Sequence, residues 1–238
     1  MKKAKSFKII PGEEYSDNFF NIKPSSEFVP EWYRKSPSKI EGTNTELSIL
    51  DPRSTNSTYK KCTPFLDAMI SGYTVYLTAD LEIGKSEEGK LLVFWRTKRN
   101  IVTEHSENQW EGLPVPTGYH SIVLKWHNQF SLNVPDGYSL MFCHPVNRFD
   151  LPFQTITGIV DCDKYPGQVH FPFFLKEEFT GIIPEGTPIA QIIPIKRDSW
   201  KRQHLEYNKD FSEIYFEKFF STIKRSYKKN YWFKKEYR

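Results

Sequence analysis

Phe130-Ser131-Leu132-Asn133-Val134-Pro135-Asp136-Gly137-Tyr138-Ser139-Leu140-Met141-Phe142 sets two apolar runs on either side of a Pro-Asp-Gly triplet. Proline presets the dihedral that opens a tight turn, and glycine takes the positive one that such a turn needs. In the first run Phe130, Leu132 and Val134 alternate with Ser131 and Asn133, the two-residue period of a half-buried strand. Working outward, strands are expected over 90–96, 119–126, 155–161, 169–175 and 179–183. The turn Pro184-Glu185-Gly186 then leads into a last strand over 189–194. Upstream, 72–83 alternates well in its second half. Short strands with turns every 8–12 residues predict an all-β barrel or sandwich.

Composition agrees. The chain has 238 residues, enough for one large domain or one domain with arms. Only 12 glycines against 16 prolines argue against Gly-rich nucleotide loops and long uninterrupted helices. Residues 1–60 carry Pro11, Pro24, Pro30, Pro37 and Pro52 and read as an irregular N-terminal arm, with one helical turn over 30–37. There Trp32 and Tyr33 are expected to anchor the arm on the body or on a neighbouring subunit. Residues 61–197 read as the β body. Residues 198–238 read as an amphipathic helix and a basic aromatic tip, because Phe211, Ile214, Tyr215, Lys218, Phe219 and Thr222 recur at helical spacing.

The net charge of +4 is uneven: residues 196–238 carry +7 and the rest −3. A basic tail suits nucleic acid, an acidic partner or plain solvent. Cys62, Cys143 and Cys162 form no C-x-x-C spacing, which argues against a disulfide framework and a zinc ribbon. The start lacks the apolar core of a secretory signal, and no run approaches a membrane span. A soluble protein of a reducing cytoplasm is expected.

Four pieces of sequence carry a resemblance. They are Ser71-Gly72-Tyr73-Thr74-Val75-Tyr76-Leu77-Thr78-Ala79-Asp80, Val134-Pro135-Asp136-Gly137-Tyr138, Gly158-Ile159-Val160-Asp161-Cys162-Asp163-Lys164-Tyr165-Pro166-Gly167, and Ile183 to Ile193 with its Ile189-Ala190-Gln191-Ile192-Ile193 run. In this order they resemble the motifs of the dUTPase and dCTP deaminase superfamily, whose core is a β-clip, a distorted barrel. The resemblance implies that Asp161 holds the sugar 3′-hydroxyl and orients the attacking water. It implies that Tyr165 stacks on the deoxyribose and that Gln191 meets phosphate. It also implies a homo-oligomer, a trimer in that family, and magnesium wherever hydrolysis is retained.

The departures from the motifs bear on chemistry. Thr74 stands where the family's first motif has a metal-holding Asp, and a hydroxyl is a poor ligand for a hard cation. The second motif would align near His144-Pro145-Val146-Asn147-Arg148-Phe149, which leaves its Arg-Ser phosphate grip lost or displaced. Asp161 and Tyr165 are four apart where the family has three, and the glycine-rich C-terminal flap is absent. Further blocks, among them 30–35, 60–68, 147–153 and 171–176, are similar to a group of tailed-phage proteins, which points to a viral source rather than to a reaction.

Other candidates remain. Asn147-Arg148-Phe149-Asp150 offers either a phosphate-binding Arg148 or a loop fixed by an Arg148–Asp150 pair. Cys143 and His144 could share a metal with Cys162 or His170, although the six histidines form neither H-x-x-x-H nor H-E-x-x-H; no metal site is assigned. The ligand-binding set is therefore Asn147, Arg148, Asp161, Tyr165 and Gln191, with Asp161 the one catalytic candidate. The expectation is a phage accessory protein in the host cytoplasm that binds a nucleotide or a host protein. A divergent nucleotide pyrophosphatase or deaminase-like enzyme is the first alternative, and a virion or assembly protein is the second.

Overall fold

The computed structural model describes residues 5–12, 21–39, 58–204, 206, 213, 227–228 and 231–237. The described chain is mostly β, and it divides into two compact units. The first spans 1–30 and 68–197, and the second spans 31–67 and 198–237.

In the first unit the strands are β1 (Lys8–Pro11), β2 (Ile22–Pro24), β3 (Tyr73–Tyr76), β4 (Leu81–Lys85), β5 (Leu91–Trp95), β6 (Val102–Glu104) and β7 (Leu124–Trp126). They continue as β8 (Phe130–Asn133), β9 (Tyr138–Cys143), β10 (Phe153–Thr155), β11 (Gly158–Val160), β12 (Phe171–Leu175), β13 (Gly181–Ile183) and β14 (Pro188–Lys196). Four sheets result, ordered β1-β8, β10-β12-β7-β6, β11-β9-β14-β3-β2 and β13-β4-β5, and every pairing within them is antiparallel.

The turn at Pro135 forms as the sequence predicts. The Tyr138 amide donates to the Pro135 carbonyl at 3.2 Å, and Gly137 sits at φ 80°. The strand that follows, β9, pairs with β14 from Gln191↔Cys143 to Lys196↔Tyr138. Gly72 has an equally local reason: its φ is 70°, and a Cβ there would run into the Ile192 carbonyl.

The core is aromatic. The Trp126 ring stacks on Phe173 at 3.8 Å between centroids, and Phe153 meets both edge-on. All three are fully buried, and such ring pairs add about 0.5–1.5 kcal/mol each beyond the area they remove from water.

Three expectations need correction. The 72–83 strand is broken: β3 ends at Tyr76, Leu77 bonds the turn that leads into β14, donating to the Thr187 carbonyl and accepting from the Gly186 amide, and the chain resumes as β4 in another sheet. The 155–161 strand is likewise divided, since β10 and β11 belong to different sheets. The arm is less irregular than its prolines suggest: β1 pairs with β8 and β2 with β3. Pro24 is tolerated because β2 lies at the sheet's edge, where a missing amide breaks no ladder.

The second unit contains α1 (Glu31–Lys35), the helical turn expected between Pro30 and Pro37. The helix α2 (Thr63–Ile70), which no reading of the sequence anticipated, begins in this unit. Tyr33 is buried against Tyr59 and Phe65, and its hydroxyl donates to the Lys60 carbonyl at 3.3 Å. The Trp232 indole donates to the Asp67 carboxylate at 2.6 Å, so this ring of the aromatic tip has a partner within its own chain. The amphipathic helix expected from 211 to 222 lies outside the described residues except Glu213, which is helical. No helix among the described residues is long and apolar enough to cross a membrane.

Candidate functional site

Asp161 follows β11 directly, and that strand's pairing with β9 (Val160↔Leu140) brings the Asp161 carboxylate to Ser139. The Ser139 hydroxyl donates to Asp161 Oδ1 at 2.6 Å, and Arg197 Nη1 lies 3.1 Å from the same oxygen. Arg197 also closes on Asp163, with Nη1 donating to Oδ1 at 2.9 Å and Nη2 donating to Oδ2. The Gly137 amide donates to Asp163 Oδ2 at 3.0 Å, so the tight turn and the guanidinium hold one carboxylate between them.

The two acids differ in setting. The Asp161 side chain is 61% exposed, whereas that of Asp163 is 1% exposed. The Ser139 hydrogen bond, with Arg197 behind it, holds the Asp161 carboxyl below its ordinary range. Bonding to Arg197, and then to the Gly137 amide, holds Asp163 down to about 2. Both are carboxylates at neutral pH. Asp161 is the one that solvent reaches.

Tyr165 belongs to the same turn. The amides of Lys164 and Tyr165 both donate to the Asp161 carbonyl at 2.9 Å. The exposed Tyr165 ring lies over Gly167, where a Cβ would strike it.

Gln191 lies elsewhere. Its side chain is 1% exposed, and all of its amide hydrogen-bonding groups are engaged within the fold. Nε2 donates to the Ala68 and Ser71 carbonyls at 2.9 and 2.6 Å, and Oε1 accepts from the Val146 amide at 2.9 Å. Next to it Asn147 takes a left-handed φ of 61°, which asparagine tolerates better than most residues. The Arg148 side chain forks onto Asp150 at 2.9 and 2.8 Å and donates to the Phe28 carbonyl at 3.4 Å. Buried Thr74 donates to Ser25 Oγ at 2.9 Å. The space that Thr74, Arg148 and Gln191 help to line amounts to about 10 Å³, the room of a single water and not of a phosphate.

The five sequence-predicted residues thus form two groups within one chain. Asp161 and Tyr165 stand at the Ser139 end of β9, and Gln191 with Asn147 and Arg148 at its Cys143 end. Four residue steps of strand carry the chain from Ser139 to Cys143, about 13 Å.

Both ring nitrogens of His144 are engaged within the fold. The His144 Nδ1 accepts from the Thr155 amide at 3.2 Å, so Nε2 carries the proton that is donated to the Arg148 carbonyl at 3.1 Å. Burial pushes the thiols of Cys143 and Cys162 up to about 11. Among the described residues no three of His, Cys, Asp and Glu group in a way that could hold a metal ion.

Sequence reasoning missed Ser139, Asp163 and Arg197. The signal was latent in register: an antiparallel β9–β14 pair that sets Gln191 opposite Cys143 sets residue 197 opposite Gly137.

No family model matches the chain, and no curated protein matches it either. Among solved structures it is similar to the native dUTPase of EIAV, at 15% identity and a TM-score of 0.32 over 58% of this chain and 86% of that one. It is also similar to a mutant dUTPase from phage phi11 of S. aureus, at 12% identity and a TM-score of 0.31 over 58% of this chain and 85% of that one.

Proposed function

We propose that this chain is a phage accessory protein built on a dUTPase-like β-clip, with an N-terminal arm over 1–60, a body over 61–197 and a C-terminal extension over 198–238. In this reading it binds a nucleotide or a host protein and does not hydrolyse dUTP. The observation that carries the reading is the buried Thr74–Ser25 hydrogen bond at the position where the resembling motif has a metal-holding carboxylate. Internal ties of Gln191 and Arg148 support it, since both would have to leave satisfied partners to grip phosphate. The exposed Asp161 and Tyr165, on one turn beside Ser139, are the residues we assign to ligand contact.

The test is pyrophosphate release from dUTP and dCTP with magnesium present. None above background is expected. Turnover that disappears in Asp161→Ala would overturn the reading.

One observation favours the second reading, a divergent nucleotide enzyme. Asp161 is an ionised, solvent-facing carboxylate steadied by Ser139 and Arg197, which is the state a water-positioning acid requires. The same assay decides between the two.

A further inference from the structure

The β13-β4-β5 sheet ends at β5, and among the described residues no strand pairs with its outer side. The phase of that free edge follows from the hairpin. The Ser86 amide donates to the Lys90 carbonyl at 2.9 Å, so the hydrogen-bonded pairs of the β4–β5 ladder are Gly84↔Leu92 and Glu82↔Phe94. The amides and carbonyls of Leu91, Val93 and Trp95 therefore point away from β4, and none of them has a backbone partner among the described residues. A row of unpaired backbone groups on an apolar strand is a template for a further strand.

Side chains add chemistry to the template. On one face Phe94 and Ile182, 54% and 59% exposed, flank Glu82 across the sheet. Past the end of β5 come Arg96, Lys98 and Arg99, and Arg96 has no partner among the described residues. A chain added to β5 would lie one strand spacing from Arg96, about 5 Å, and two from Glu82, about 10 Å. The nearer charge is the cation. A cavity of about 560 Å³ bordered by Trp95, Arg96 and Arg99, with Asp80, Glu82 and Glu185 also on its wall, leaves room there for an incoming side chain.

Self-pairing is the obvious competitor. The register that overlaps the whole of β5 with a second copy sets Lys90 opposite the copy's Arg96, and like charges directly opposite are destabilising. Glu88, 2.8 Å from Lys90 but largely in solvent, offsets little of that.

We propose that the free edge of β5 docks an extended peptide segment of a partner protein, antiparallel to β5, with acidic residues at its N-terminal end beside Arg96 and Lys98. This requires only the β13-β4-β5 sheet and is independent of any nucleotide chemistry at Asp161.

The probe is a blocked peptide of two glutamates followed by alternating valine and threonine, labelled at its C-terminus and titrated with the full chain by fluorescence anisotropy. Saturable binding with Kd below about 1 mM is expected, weakened by salt. Arg96→Glu should weaken it about tenfold and favour the version that begins with two lysines, a reversal that a merely structural role of Arg96 would not give. Val93→Pro removes an outward amide and none of the β4 ladder, so binding should vanish while the circular dichroism spectrum stays native. N-methylation of the probe gives the same test without altering the protein: one alternate set of N-methyl groups abolishes binding, and the other set leaves it. The proposal is overturned by no saturable binding to the intact chain, or by equal loss with both N-methyl sets. It is also overturned by a dimer in sedimentation that Val93→Pro dissolves, which would give the edge to a second copy.

Discussion

Arg197, one residue past the end of β14, grips both oxygens of Asp163, whose side chain is almost wholly enclosed. The pair ties the end of the longest strand to the turn that follows β11, and it makes stability sensitive to acid. The folded-state pKa of Asp163, about 2, lies below the ordinary 3.8, so in acid the unfolded chain binds more protons than the native one. Its contribution is therefore complete above about pH 4 and is lost as the pH falls toward 2. Thermal melts over that range should show the midpoint falling in the native protein. In Arg197→Gln the midpoint should start lower and fall less steeply.

His170 acts at milder pH. Burial, with His127 and Lys125 nearby, pushes its pKa from 6.5 down to about 4. The native state holds it neutral while the unfolded chain takes up a proton, so stability should decline as the pH drops from about 6.5 to about 4. Its ring stands 4.6 Å from that of His127, and its Nδ1 accepts from the Asn128 amide at 3.1 Å. An NMR titration should find the His170 ring shift flat down to about pH 5. His170→Asn, which can still accept that amide, should flatten the stability slope between pH 6.5 and 4.

The stacked rings should dominate the core. Phe173→Ala removes the face of Trp126 and an edge of Phe153 and should cost about 3–5 kcal/mol in chemical denaturation. Phe173→Leu, closer in volume, should cost clearly less.

Gln191 gives a contrasting measurement. Gln191→Leu keeps the bulk but strands the Val146 amide and the Ala68 carbonyl and takes one donor from the Ser71 carbonyl, at a cost on the order of 3 kcal/mol. Binding of any nucleotide at Asp161 should be unchanged in this variant, provided the assay is run below its unfolding transition. Loss of binding without loss of stability would return Gln191 to the ligand site.

Legibility in the sequence followed the range of the forces involved. The turn at Pro135-Asp136-Gly137 and the strands beside it were legible because dihedral preference and alternation act over a few residues. The Arg148–Asp150 pair was legible for the same reason. The break after Tyr76 was not, because β3 ends where its partner β14 gives way to the turn at 184–187, over a hundred residues on. Pro11 and Pro24 hid two strands, since a proline count cannot distinguish an irregular arm from strands whose prolines leave no ladder broken. For the candidate site, Asp161 and Tyr165 stood in a readable motif. Ser139 reaches Asp161 through the β9–β11 register and Arg197 through the β9–β14 register, which no local pattern encodes.

The pairing of β1 with β8 carries a consequence for synthesis. Lys8–Pro11 leaves the ribosome well before its partner Phe130–Asn133, which lies about 120 residues downstream. At about 5–20 residues per second it waits on the order of ten seconds. Over that interval Ile9 and Ile10 are apolar and unpaired, so the nascent chain is most open to capture by a chaperone before Phe130 emerges.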